Sequence, residues 1–176
     1  DPVPGIRSVA FETINRLTNT GTEPWNPDAC PFSIRITGMF KHSSATTVAI
    51  PVRDGDPARL GPAVIADESA RSQPDRLMVR KGVVYLKADA GVKIGISPRR
   101  AKPVWACYDA ENRILSLIQY SLSGLPDYQP SADSSVLSLQ NAPEEPGRKL
   151  TDRPFCFGSS SPSAALKPGE TVRHVH

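Results

Sequence analysis

The chain has 176 residues, enough to bury one sizeable core, and its net charge of +3 is too small to argue for a nucleic-acid partner. Eighteen prolines and twelve glycines argue against a helix-rich architecture, because proline breaks helix interiors. No apolar run reaches the roughly eighteen residues that a membrane-spanning helix needs.

The chain starts at Asp1-Pro2-Val3-Pro4 with neither Met nor an apolar leader, so a mature or excised fragment is expected. Arg7–Thr20 then alternates. Val9, Phe11, Thr13, Asn15 and Leu17 share one face, while Glu12, Ile14, Arg16 and Thr18 share the other. A period of two predicts a strand, closed by the turn signal Asn19-Thr20-Gly21. Trp25 lies between prolines in an irregular loop. Phe32–Phe40 is the second predicted strand, with Ile34 and Ile36 inward, Arg35 and Thr37 outward, and Gly38 marking a bulge or a close backbone approach. Thr46–Val52 is the third, and Pro51 predicts that it ends there or lies at a sheet edge.

Residues 58–75 are weakly patterned, with a short strand near Ala63–Ala66 and one helical turn near Asp67–Arg71. Arg76–Arg80 and Val83–Lys87 flank Lys81-Gly82 as a hairpin, and Val92–Ser97 continues the sheet. Val104–Asp109 and Arg113–Ser121 pair around Ala110-Glu111-Asn112. Leu122–Asp133 is a loop, Val136–Leu139 a short strand and Ala142–Arg148 a polar connection. Phe155–Phe157 leads into a serine run, and Thr171–His176 is the last strand. The expected class is all-β: an antiparallel sandwich or supersandwich, either one domain over 1–176 or the C-terminal portion of a larger one.

The stretches FETINRLTNTG, ITGMFKHSSATTVAIPV, KIGISPRRAKPV, CYDAENRILSLIQY and SSSPSAALKPGETVRHVH occur in that order. Together they resemble the C-terminal part of an uncharacterised bacterial family of unknown function, itself similar to the galactose-mutarotase-like β-supersandwich proteins. The resemblance implies a longer parent with more β-sheet before Asp1. It also implies sugar binding in a concave sheet face, with a His and a carboxylate where there is catalysis. Relatives usually carry an acidic segment before the serine run, whereas this chain has Phe155-Cys156-Phe157-Gly158. That departure favours binding over catalysis.

Several side chains are candidates for chemistry. Arg99, Arg100 and Lys102 sit between Pro98 and Pro103, where three cations on a stiff turn could grip a carboxylate, a phosphate or an acidic sugar. The plainer alternative is a solvated turn paired with Asp109 or Glu111. Glu12, Asn15 and Arg16 offer a carboxylate, an amide and a guanidinium for sugar hydroxyls, with Glu12 as a candidate general base. They could equally hold a structural ion pair between Glu12 and Arg16 or Arg35. His42 is the candidate proton carrier, set against an ordinary turn residue. Trp25 could stack on a sugar ring, while Trp105 is assigned to the core.

His174 and His176 share a strand face but lack a visible third metal ligand, so no metal site is expected. No cofactor signature is present and none is expected. Cys30, Cys107 and Cys156 fit no zinc spacing and are expected to be buried small hydrophobes, with Cys107 unbridged. The function expected is a carbohydrate-binding, mutarotase-like protein with a saccharide ligand, an epimerase, mutarotase or lyase-type proton-transfer enzyme if it is catalytic. The alternative is a non-catalytic saccharide-binding or structural sandwich.

Overall fold

The computed structural model describes residues 5–26, 32–88, 91–124, 135–141, 147 and 154–176. In chain order the elements are β1 (Ile14–Thr18), β2 (Arg35–Phe40), β3 (Thr46–Pro51), α1 (Pro57–Leu60), β4 (Ile65–Ala66), α2 (Glu68–Arg71), β5 (Leu77–Arg80), β6 (Val83–Lys87), β7 (Lys93–Ile96), β8 (Val104–Asp109), β9 (Ile114–Gln119), β10 (Leu137–Asn141), β11 (Phe155–Ser160) and β12 (Thr171–Val175). One five-stranded sheet has the order β2-β11-β10-β7-β4, a second has the order β5-β6-β3-β8-β9, and β1 pairs with β12 apart from both. Every pairing is antiparallel. The chain is an all-β sandwich, as the period-two runs predict.

The two larger sheets face each other across one core. Val48, Ile50, Val84, Leu86 and Trp105 come from one sheet, and Ile94, Ile96, Leu137, Leu139, Phe155 and Phe157 from the other. Each fully buried aliphatic or phenyl side chain contributes about 1.5–3 kcal/mol. Trp105 is in the core as expected, stacked on Phe157 with ring centroids 3.6 Å apart. Phe40 meets Trp105 edge-on at 5.4 Å and stacks on Phe155 at 5.3 Å. A Cβ on Gly38 would lie 2.8 Å from the Phe40 ring, so the glycine makes room for that aromatic cluster.

The local turns follow from the sequence. Lys81 (φ 49°) and Gly82 (φ 70°) both take the left-handed region, as a two-residue hairpin between β5 and β6 demands. The Asp67 side chain caps α2 by accepting from Ala70 N at 2.8 Å, and its other oxygen accepts from Lys93 N at 3.2 Å, which ties the helical turn to β7.

Three details differ from expectation. β1 is shorter than the Arg7–Thr20 alternation implies. Its partner β12 ends at Val175, and the last backbone bonds join Thr13 and His176. Ahead of that, Val9 and Phe11 are exposed. Pro51 does end β3, but β3 is the central strand of its sheet and not an edge. Val52 N donates toward β6, to Gly82 O, so the donor missing at Pro51 faces β8, whose ladder with β3 has already stopped at Ala49–Ala106. Finally, α1 forms at the start of the weakly patterned stretch, because Asp56 accepts from Ala58 N and Pro57 supplies a preset first turn. Most of the 122–133 loop, most of the 142–148 connection and Cys30 lie outside the described residues.

Candidate functional site

The side chains singled out in the sequence fall into two groups. Glu12, Asn15 and Arg16 cluster around β1. Glu12 and Arg16 are exposed, and among the described residues neither forms an ion pair. Asn15 is half-buried and donates to Thr13 Oγ1 at 3.2 Å and His174 O at 3.4 Å. Trp25 is half-buried against Phe32, with centroids 4.8 Å apart.

The second group is the proline-bounded turn. Arg100 there is 3% exposed and faces inward. Its Nε and Nη2 donate to Gly61 O at 3.0 and 2.7 Å, and its Nη1 donates to Arg53 O at 2.8 Å. The guanidinium thus ties together three stretches of chain. Arg99 is exposed and donates to Arg59 O at 3.0 Å. Lys102 is exposed, while its carbonyl accepts from Tyr120 OH at 2.7 Å. Asp109 does not pair with this turn. It accepts from Ser43 Oγ at 2.6 Å and from the Asn112 backbone and side chain at 3.1 and 2.9 Å. Among the described residues, no hydrogen bond or ion pair joins the two groups directly. Contacts run between them by way of Tyr120 and His174, whose rings lie 6.5 Å apart.

His42 is buried, edge-on to Phe155 at 5.6 Å. His174 is also buried, with Nδ1 3.0 Å from Ser121 Oγ and Nε2 2.8 Å from Ser159 Oγ. Both ring nitrogens are engaged by hydroxyls, and among the described residues no three potential metal ligands cluster. Ser121 also accepts from Val175 N at 3.0 Å. Ser159 is fully buried, so the tautomer that leaves no buried hydroxyl idle has Ser159 donating to Nε2 and Nδ1–H donating to Ser121. Burial, then the neighbouring His176, pushes the His174 pKa down, so the ring is neutral at neutral pH.

A further arrangement lies on the outer face of the β2-β11-β10-β7-β4 sheet. Because Phe155, Phe157, Leu137, Leu139, Ile94 and Ile96 point into the core, the residues between them point out. The register aligns Thr37, Gly158, Ser138, Gly95 and Ile65 across all five strands. The two glycines leave the middle of this row without side chains. The Arg35 guanidinium lies over it, donating to Ser138 Oγ, and a Cβ on Gly158 would meet Arg35 Nε and Nη2 at 3.3 Å and Thr37 Oγ1 at 3.2 Å. A Cβ on Gly95 would collide with Ser135. The next row out is Met39, Cys156, Gln140 and Lys93. The result is a trough whose floor, Gly95, Ser138 and Gly158, is buried beneath the Ser135 side chain and the Arg35 guanidinium, with an amide and an ammonium on the adjoining row. Sequence reasoning placed Arg35 and Thr37 outward but did not assemble this set. Gly95 inside a predicted strand and Gly158 directly after Phe155–Phe157 were the available signal.

No curated protein and no solved structure matches the chain. A family model matches residues 2–176, and the chain belongs to that family, a family of unknown function (DUF6786).

Proposed function

We propose that this is a carbohydrate-binding protein of the galactose-mutarotase-like kind, which lays a saccharide in the trough on the outer face of the β2-β11-β10-β7-β4 sheet. One observation supports the reading above the others. Gly158 removes a side chain from the middle of the sheet, and the Arg35 guanidinium lies over the gap, donating to the Ser138 hydroxyl, with the Thr37 hydroxyl at its edge. A flat floor edged by hydroxyls, an amide and a guanidinium suits a ligand whose surface is a ring of hydroxyls.

Turnover would need an acid and a base facing the same sugar. Among the described outward residues of this sheet there is no carboxylate and no histidine. Glu12 is exposed beside β1 and His42 is buried near Phe155, which favours binding without proton transfer.

The test is a saccharide array followed by calorimetric titration of any hit, with Arg35→Ala and Gly158→Leu in parallel. Gly158 has an ordinary φ and its close neighbours are side chains, one of them the flexible end of Arg35, so the leucine should be accommodated while filling the floor. Each variant is expected to weaken a hit by about tenfold or more at an unchanged melting temperature, the loss of one charged hydrogen bond being about 1.5–3 kcal/mol. Binding that survives both changes, or an array with no hit, rules the trough out. Polarimetry on an anomerising sugar separates binding from mutarotation.

A further inference from the structure

Strand β9 is the outer strand of the β5-β6-β3-β8-β9 sheet and pairs only with β8 among the described residues. Among the described residues, none is hydrogen-bonded to the backbone on its other side. Stable proteins blunt such edges with charge, proline or shortness. The other edges here are blunted. β5 has four residues and ends in Arg80, β2 carries Arg35, β4 is two residues long, and β1 and β12 carry Arg16 and Arg173. β9 is not blunted. It runs ILSLIQ over six residues with no charge and no proline. Leu115 is 59% exposed and Leu117 68% exposed. Register places Leu117 beside Ala106, Ala49, Tyr85 and Met78 in one apolar row across the outer face of this sheet.

We propose that β9 pairs antiparallel with β9 of a second copy of this chain, joining the two sheets into one ten-stranded sheet across a two-fold axis. A second copy fits because an antiparallel strand pair is its own two-fold mate, so one uncharged strand suffices for both sides. A two-fold axis normal to the sheet keeps outward residues on the outward face. Passing it through Ser116 sets Leu115 of each copy opposite Leu117 of the other. The flanking Arg113 then faces Gln119 rather than its own copy, so a chain of net charge +3 meets itself here without like-charge contact. A single strand edge covers far less than the roughly 800 Å² per partner of a standard interface, so the dimer is concentration-dependent.

The test is sedimentation velocity over a concentration series, with circular dichroism to verify folding. Leu115 and Leu117 are exposed, so substitutions there leave the core untouched. The wild-type protein is expected to shift from monomer to dimer with concentration. The L115K/L117K variant sets lysine opposite lysine and is expected to remain monomeric. The L115K/L117E variant sets opposite charges face to face in this register and is expected to dimerise again. A wild-type protein that stays monomeric throughout, as it would if β9 instead received a strand from another protein, overturns the proposal. So does a dimer that survives L115K/L117K, or a folded L115K/L117E that is monomeric.

Discussion

Ser159 Oγ lies 2.8 Å from His174 Nε2. Both residues are buried, so this serine–histidine contact binds β11 to β12 and is closed to substrate.

The first prediction concerns acid. Burial lowers the pKa values of His174 and His176 in the folded state, with His176 adding to the effect on His174. Between the unfolded value, about 6.5, and the lowered folded values, the unfolded chain binds more protons. This contribution to stability is therefore complete above about pH 6.5 and is lost as pH falls below it. Melting temperature measured from pH 8 to pH 5 should fall below about 6.5. His174→Gln should start lower, by about 1–3 kcal/mol for its buried hydrogen bonds, and show a shallower decline. Equal slopes for the two proteins would remove His174 from the account.

The second concerns Asp109. Burial acts to raise its pKa, but hydrogen bonds from Ser43, from the side chain and backbone of Asn112, and from Thr46 outweigh burial and hold the carboxyl well below the usual carboxylate range. Its stabilisation is present above the unfolded value of about 4 and is lost as pH falls below that. Asp109→Ala should cost about 2–3 kcal/mol at neutral pH, read by urea denaturation, because the Ser43 hydroxyl and the turn amides lose a charged acceptor. The same variant should show little further change between pH 5 and pH 3 from this site.

The third separates the two arginines of the proline-bounded turn. Arg100→Ala removes a buried fork that holds Gly61 O and Arg53 O, and should cost about 2–4 kcal/mol. Arg100→Lys should recover only part of that, since an ammonium cannot reproduce the fork. Arg99→Ala removes one exposed hydrogen bond and should change stability by less than about 1 kcal/mol. Thermal melts of the three variants check this. Equal, small effects would mean that the turn is solvated after all.

The fourth concerns the thiols. Cys107 is buried and free, and burial, helped by the Asp109 charge, raises its pKa against hydrogen bonding to Ser116. Cys156 is free and half-buried on the trough side of β11. In a Cys30→Ser background, a bulky thiol reagent should label Cys156 in the native state and Cys107 only after denaturation, as followed by mass spectrometry.

Local pattern carried most of the strands. The Lys81-Gly82 turn and the Val104–Asp109 alternation each specify a hairpin from adjacent residues, and both hairpins form. Trp105 was assignable to the core because its neighbours Val104 and Ala106 lie on the other face. Arg100 was not legible as a buried clamp. Its partners are carbonyls at Arg53 and Gly61, and a carbonyl has no residue type to betray it. The trough was hidden for a related reason. Gly158 and Gly95 become neighbours of Ser138 only through the pairing of β11, β10 and β7, and alternation along one strand says nothing about which strand lies beside it.

The same pairings set an order of assembly. The β5-β6-β3-β8-β9 sheet is built from two hairpins laid against β3, and its longest-range pairing, Thr46 with Asp109, closes a shorter loop than either β2-β11 or β1-β12 does. The β2-β11 ladder joins Arg35 to Ser160, and the β1-β12 ladder joins Ile14 to Val175. Such long closures are slow and come after local pairing in the search for the native state. The hairpin sheet is therefore the template on which the other condenses, and the trough is completed only in the last steps. In pulse-labelling hydrogen exchange, amides of β6 and β8 should gain protection before those of β2 and β11.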